Sequence, residues 1–301
     1  MEAQLNHFTK FIIIILFCSS LLQVRSEEYY IEAKFNSSEP CIATAPCQTL
    51  DDIVANFSGL FNSNDTLVFS SGTHYLSINA TITDTSNLSM SSESENVTTR
   101  IMCENYSRFI FELSNNIHIS NLEFVGCGGN EVVNVDNFVI HETVFRGQAN
   151  SGTGIELINT TAEFVNCTFS SYKNGKRINR YSTYSFWSES VIIAIQSNIN
   201  IRRSTFENNG AHNLDEGGTI LYAMHQSFIA IEDSTFTIED STFIDNRGRY
   251  GSIVNSHSCN IIIQTSKFYN NSGGGLLTLY GSNVMIDRSV FENNTGGVLF
   301  F

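Results

Sequence analysis

Proline is almost missing from this sequence: Pro40 and Pro46 are the only two in 301 residues. Beyond Pro46 no backbone N–H is lost to a proline ring, so strand ladders can run without interruption. Positive charge is also scarce. Lys and Arg total 16 against 30 Asp and Glu, a net charge of -14. That balance excludes nucleic acid as a partner. No CxxC pair occurs among the seven cysteines, so no zinc site is expected, and no cofactor motif is present. The helical 3.6-residue period is absent. After residue 26 no stretch reaches the roughly 18 apolar residues of a membrane helix.

What is there begins with a leader. Lys10 ends a polar start, Phe11–Phe17 is an apolar core, and Cys18 to Ser26 follows. Residues 1–26 therefore read as a signal peptide, too short in its apolar run to span a bilayer. Any membrane contact is expected only through this transient leader or through a C-terminal anchor beyond the sequence. The location expected is secreted, or on the outer face of the cell. Removal of the leader leaves 29 acidic and 14 basic residues.

Secretion makes disulfides available to Cys41, Cys47, Cys103, Cys127, Cys167 and Cys259. Cys41 and Cys47 are close enough to close a short loop. Cys103 and Cys127 fit neighbouring coils of the repeat described below, and Cys167 and Cys259 lie too far apart to pair, so both are expected to be free thiols. Sequons for N-glycosylation begin at Asn36, Asn56, Asn64, Asn79, Asn87, Asn96, Asn105, Asn159, Asn270 and Asn293. Their density before residue 106 points to a glycosylated N-terminal surface. An eleventh, at Asn166, is set apart as too buried for use.

A repeat decides the fold. With Phe as position zero, apolar residues recur seven and five places earlier: Ile117, Ile119 and Phe124; Phe138, Ile140 and Phe145; Ala162, Phe164 and Phe169; Ile199, Ile201 and Phe206; Ile229, Ile231 and Phe236; Ile261, Ile263 and Phe268; Val284, Ile286 and Phe291. Apolar residues two apart read as a strand with one buried face. Two places before the Phe the residue is usually small, as at Thr143, Cys167, Ser204, Ser234, Ser266 and Ser289, with Leu122 the exception. After it comes an asparagine turn, as in Phe206-Glu-Asn-Asn209, Phe268-Tyr-Asn-Asn271 and Phe291-Glu-Asn-Asn294. A glycine pair then opens an apolar strand at Gly217, Gly274 and Gly296. Asn and Gly tolerate the left-handed backbone of a sharp corner. Coils of this kind bury their inner faces only by stacking.

These alternating FxxN and GGxΦ motifs resemble the repeats of bacterial polymorphic outer membrane proteins, and secreted eukaryotic proteins with a pectate-lyase-like right-handed β-helix. The resemblance covers roughly residues 40–301. It implies an all-β chain, a single-stranded right-handed parallel β-helix solenoid with a short N-terminal capping helix. It also implies adhesion, since polymorphic outer membrane proteins are adhesins. The expected organisation is a leader over 1–26, an entry segment and cap over 27–64, and the solenoid over 65–301. The cap is a helix from Thr49 to Phe57, with Asp51 and Asp52 in its first turn. Residues 83–99 are expected to loop outward. The sequence stops at Gly296-Gly-Val-Leu-Phe-Phe301, and a solenoid interrupted at its C-terminal end is the expectation. Between residues 231 and 244 the six-residue word Ile-Glu-Asp-Ser-Thr-Phe is written twice at a seven-residue spacing, closed by Thr237 and then by Ile244. Two registers then compete, so one copy is expected to bulge and Phe243 to stay in the core.

No catalytic set is legible. Repeat strands carry no Asp-Asp pair, and Arg202, Arg203 and Arg288 show no acid cluster at matching coil positions. His118, His141, His212, His225 and His257 fall at scattered offsets. The candidate binding site is the insertion 170–190, which concentrates Tyr172, Lys176, Arg177, Arg180, Tyr181, Tyr184 and the sole tryptophan, Trp187. Rings to stack on and cations in an acidic chain suit an extracellular glycan or protein surface as partner. The reading is a non-catalytic recognition or adhesion scaffold. Its rival is a carbohydrate-active enzyme, a polysaccharide lyase or hydrolase.

Overall fold

The computed structural model describes residues 28–31, 50–51, 64–94, 98–105, 107–148, 153–172, 191–210, 229–247 and 253–300. Three parallel sheets wind into a right-handed β-solenoid with almost no helix. The first sheet has ten strands, running from Glu28–Ile31 and Thr66–Phe69 to Asn283–Asp287. The second has nine, from Gly72–Leu76 to Val290–Glu292, and the third has nine, from Ala80–Thr83 to Thr295–Phe300. Each coil contributes one strand to each sheet. The described residues therefore form nine coils, and the first strand, Glu28–Ile31, pairs with Thr66–Phe69.

The inward Phe positions stack in the second sheet. Phe124, Phe145, Phe169, Phe206, Phe243, Phe268 and Phe291 form one column, with centroid spacings from 5.2 Å down to 4.6 Å and nearly parallel rings. That spacing is the strand repeat itself, about 4.8 Å. Inward residues of the first sheet stack likewise, as Phe164–Ile201–Ile238–Ile263–Ile286.

Each corner combines a left-handed residue with one turned inward, apolar at Leu88, Leu122 and Val135 and small or an amide in the later coils. At the first corner the N–H groups of Cys167, Ser204, Ser241 and Ser266 donate to the hydroxyls of Ser204, Ser241, Ser266 and Ser289 one coil on. At the second, Asn209, Asn246 and Asn271 donate N–H and side-chain amide to the Oδ1 of Asn246, Asn271 and Asn294. At the third, Thr160 and Ser197 donate N–H to the hydroxyls of Ser197 and Ser234. Buried corner amides are satisfied by the next coil, which is what lets the chain turn without exposing its core.

Three expectations are corrected. Phe236 is not a zero position. It sits in the first sheet between Ile199 and Ile261, while Ile229 and Ile231 belong to a third-sheet strand. Ser234 accordingly lies at the third corner, and Ser241 takes the first-corner place. Neither copy of the tandem word bulges: Phe236 and Phe243 are both fully buried. One strand plus one corner is seven residues long, so the two copies build successive corners, with Asp233 and Asp240 both left-handed at φ 47° and 49°. Finally, residues 83–99 do not simply loop out, because Ser89–Ser92 is a first-sheet strand with Met90 buried.

Of the expected capping helix, Leu50 and Asp51 are described, and both are helical. Leu50 joins the hydrophobic core. The Asp51 carboxylate accepts the Ser77 N–H at 2.9 Å and the Ser77 hydroxyl. Asp51 thus ties this segment to the first coil. Asp52 lies outside the described residues. Cys103 and Cys127 form a disulfide, and Cys167 and Cys259 are buried free thiols. Cys41 and Cys47 lie outside the described residues.

Candidate functional site

Connections from the second sheet to the third set the most distinctive feature of the surface. They are short at 126–129, 270–271 and 293–294. In four consecutive coils between them they lengthen to 147–154, 171–191, 208–228 and 245–253. All four leave from one corner. Their described ends are fixed by backbone bonds: Gly147 N–H to Ser170 O, Gly210 N–H to Tyr172 O, Arg247 N–H to Asn209 O. Gly210 has φ 143°, and a Cβ there would lie 2.0 Å from the Arg247 carbonyl oxygen, so only glycine permits this approach.

Of the candidate binding residues, Tyr172 is described and the structure moves it out of the group. It is 4% exposed and part of the core. Its ring packs where a side chain on Gly154 would stand, and burial pushes its phenol pKa up. A ring enclosed this way offers no face to a ligand. Lys176, Arg177, Arg180, Tyr181, Tyr184 and Trp187 lie outside the described residues, as do Asn36, Asn56 and Asn96. The sequon asparagines that are described, Asn64, Asn79, Asn87, Asn105, Asn159, Asn270 and Asn293, are all exposed. Asn166 is exposed too, at a left-handed first corner, which corrects the expectation that burial removes it. Asn79, Asn105, Asn270 and Asn293 lie at the second corner on either side of the four long insertions, which contain no sequon themselves.

Charge clusters appear that counting along the sequence missed. Beside this corner, the outward residues Ile110, Glu131, Glu156, Ile193 and Asn255 of the third sheet are withdrawn from solvent. Glu131 and Glu156 are register partners on adjacent coils. Arg108 Nη1 lies 2.9 Å from Glu131 Oε1, with side-chain exposures of 4% and 1%. An isolated buried charge is costly, and the ion pair offsets that cost. On the second sheet Glu123 accepts Nε–H bonds from Arg100 and Arg146, each at 2.9 Å. On the first sheet Arg202 donates to Glu163 and is the register partner of Glu239. Two acids therefore flank Arg202, one of them at the matching coil position, which spacing along the sequence did not reveal. Arg288 pairs with its own neighbour Asp287 at 3.0 Å. Among the described residues no group of three or more His, Cys, Asp and Glu is placed to hold a metal ion.

The profile of a family described as right handed beta helix region matches residues 227–301. No curated protein matches the sequence. Some solved structures are similar to this chain at low identity. A mannuronic acid specific polysaccharide family 6 lyase from human gut microbiota is 12% identical with a TM-score of 0.44, over 89% of this chain and 64% of its own. The chain thus spans a little under two thirds of that lyase. PfbA, a surface adhesin of Streptococcus pneumoniae, is 10% identical with a TM-score of 0.39, over 77% of this chain and 83% of its own. Pectate lyase Pel9A is 12% identical with a TM-score of 0.33, over 92% and 81%. Likenesses this distant assign no activity to this chain.

Proposed function

We propose that this chain is a non-catalytic extracellular recognition scaffold, and that it meets its partner, a glycan or protein surface, at the corner of the four long insertions. The observation that carries this reading is the clustering itself: four adjacent coils spend their extra residues at one corner, while the other two corners stay tight. Rigid coils that present variable connections on one side form a binding face. The insertion 170–190 supplies the chemistry, with Lys176, Arg177 and Arg180 among Tyr181, Tyr184 and Trp187. Bracketing sequons with none between them would leave this corner clear of glycans. Passage through the secretory route is supported by the leader 1–26 and by the Cys103–Cys127 disulfide.

The test is the triple variant Trp187→Ala, Arg177→Ala, Arg180→Ala on glycan and protein arrays. Binding should disappear while the melting temperature stays within about 2 °C, because surface changes of this kind cost little stability. Undiminished binding sinks the reading. The rival, a carbohydrate-active enzyme, draws on one observation, the adjacent Glu131 and Glu156 beside Arg108. Their burial counts against it, since a polysaccharide cannot reach carboxylates that are almost wholly enclosed. Polysaccharide cleavage by the wild-type chain that Glu131→Gln abolishes would reinstate it.

A further inference from the structure

We propose that Arg100 and Arg146 form a binding site for a tetrahedral oxyanion, a sulfate or phosphate ester, on the outer face of the second sheet. This site is separate from the insertion corner and does not depend on the reading given there. Its residues lie on three successive coils. Arg100 is the register partner of Glu123, and Arg146 is the register partner of Val125 two places further along. Glu123 faces outward yet its side chain is only 7% exposed, because the two arginines close over it. Each arginine gives Glu123 its Nε–H, one to Oε2 and one to Oε1. The arginine side chains themselves remain 42% and 49% exposed.

The consequence follows from the donor count. A guanidinium carries five N–H donors in a fixed plane. Among the described residues, Glu123 takes one from each arginine, and the four Nη–H donors of each make no other hydrogen bond. One carboxylate thus orients two half-exposed cations and leaves their eight Nη–H donors without a hydrogen-bond partner among the described residues. The neighbouring outward strand positions of these coils add no competing acid; Glu207 follows one coil further on as the register partner of Ser170. The outward residues flanking the three charges in the first five coils are Thr73, Tyr75, Met102, Val125, Val144, Thr168 and Ser170. A local charge of +1 therefore stands on a chain of net charge -14. The Glu123 carboxyl is desolvated, yet its hydrogen bonds to Arg146 and Arg100 outweigh that and hold it below the usual carboxylate range. It stays ionised and keeps both arginines in place at neutral pH.

The two forks stand on either side of Glu123, so a ligand that engages both must present oxygens in more than one plane. A carboxylate has two oxygens in one plane and matches a single guanidinium. A tetrahedral oxyanion has three or four and can bridge two. Titration of the purified chain with methyl sulfate, methyl phosphate and acetate at low ionic strength, read by calorimetry, tests this. Saturable binding of methyl sulfate or methyl phosphate, at least about tenfold tighter than acetate, is expected, and the ratio of the first two shows which ester is preferred. Arg100→Gln and Arg146→Gln should each weaken it about tenfold, while Arg202→Gln on the first sheet should not. Where a glutamine variant is unfolded by circular dichroism, Arg146→Lys replaces it, keeping the charge and losing the fork, with the same loss expected. Oxyanion binding that survives these changes, equal binding of acetate, or no saturable binding would show that the arginines only brace three coils.

Discussion

Truncation of a ring in the middle of the aromatic column probes the solenoid most directly. Phe206 is fully buried, with Phe169 at 4.8 Å on one side and Phe243 at 4.7 Å on the other. Phe206→Ala removes the buried ring and leaves a cavity that parallel strands fixed at about 4.8 Å cannot close, at a cost of about 3–5 kcal/mol. Stacked pairs contribute about 0.5–1.5 kcal/mol each beyond their area, and here two are lost. The expected cost is therefore at the top of that range, about 5 kcal/mol. Phe291 is the internal control. It is partly buried and, among the described residues, has one ring neighbour, Phe268 at 4.6 Å, so Phe291→Ala should cost about 2 kcal/mol. Urea unfolding followed by far-UV circular dichroism reads the difference. With a slope of about 3 kcal/mol per molar, the midpoint should fall by roughly 1.5 M for Phe206→Ala and by well under 1 M for Phe291→Ala. Equal shifts for the two would refute the claim that stacking on both sides sets the cost.

Further outcomes follow from the disulfide, from Cys167 and from His74. The Cys103–Cys127 bridge spans a sequence separation of 24. Its replacement by two serines should lower stability by about 3 kcal/mol, visible as a fall in melting temperature that reductant does not deepen. Cys167 is buried and its thiol is pushed up to about 12, so iodoacetamide should label it only in denaturant. Cys167→Ser should change stability by less than about 1 kcal/mol, since Ser204, Ser241 and Ser266 fill the same corner place; a large loss would show the ladder is not interchangeable. His74 is buried against Phe69, and desolvation lowers its pKa despite the hydrogen bond with the Ser70 carbonyl. Its contribution is thus present above the unfolded value near pH 6.5 and is lost as pH falls through the lower folded value. His74→Gln should flatten the decline in stability below pH 6.5, and an unchanged decline would remove His74 as a cause.

What could be read from the sequence, and what could not, follows from the geometry of the three corners. Position zero and the apolar residues seven and five places before it are legible because from Ile117 onward the first corner is always two residues long, a left-handed residue and then an inward one. The third sheet is illegible by the same counting, because the second corner ranges from 270–271 to 171–191 and 208–228. Glu131 and Glu156 therefore pair at different distances from Phe124 and Phe145, and no offset rule aligns them. Arg100, Glu123 and Arg146 were legible and were overlooked. Glu123 and Arg146 flank an inward Phe, and residues on either side of an inward position must face out. Charges at those places, compared coil against coil, would have shown the cluster.

The sequons carry a different lesson. Seven described sequon asparagines, Asn64, Asn87, Asn105, Asn159, Asn166, Asn270 and Asn293, have positive φ. In six of them the residue two places on opens a strand: Thr66, Ser89, Thr161, Thr168, Ser272 and Thr295. Asparagine is favoured in the left-handed corner, the next residue turns inward, and Ser or Thr suits the first outward place of a strand. The corner therefore writes Asn-x-Ser/Thr for reasons of folding alone, and the number of sequons is not independent support for glycosylation. Their exposure is the stronger fact, since it means that each could carry a glycan without disturbing the core. The four long insertions are where corner geometry stops dictating sequence. They contain several asparagines and no sequon, while the tight second corners on either side hold Asn79, Asn105, Asn270 and Asn293. Released from the fold's demand, the sequence there is free to answer to a partner, which is why the insertion corner, rather than the solenoid that carries it, is the place to look for one.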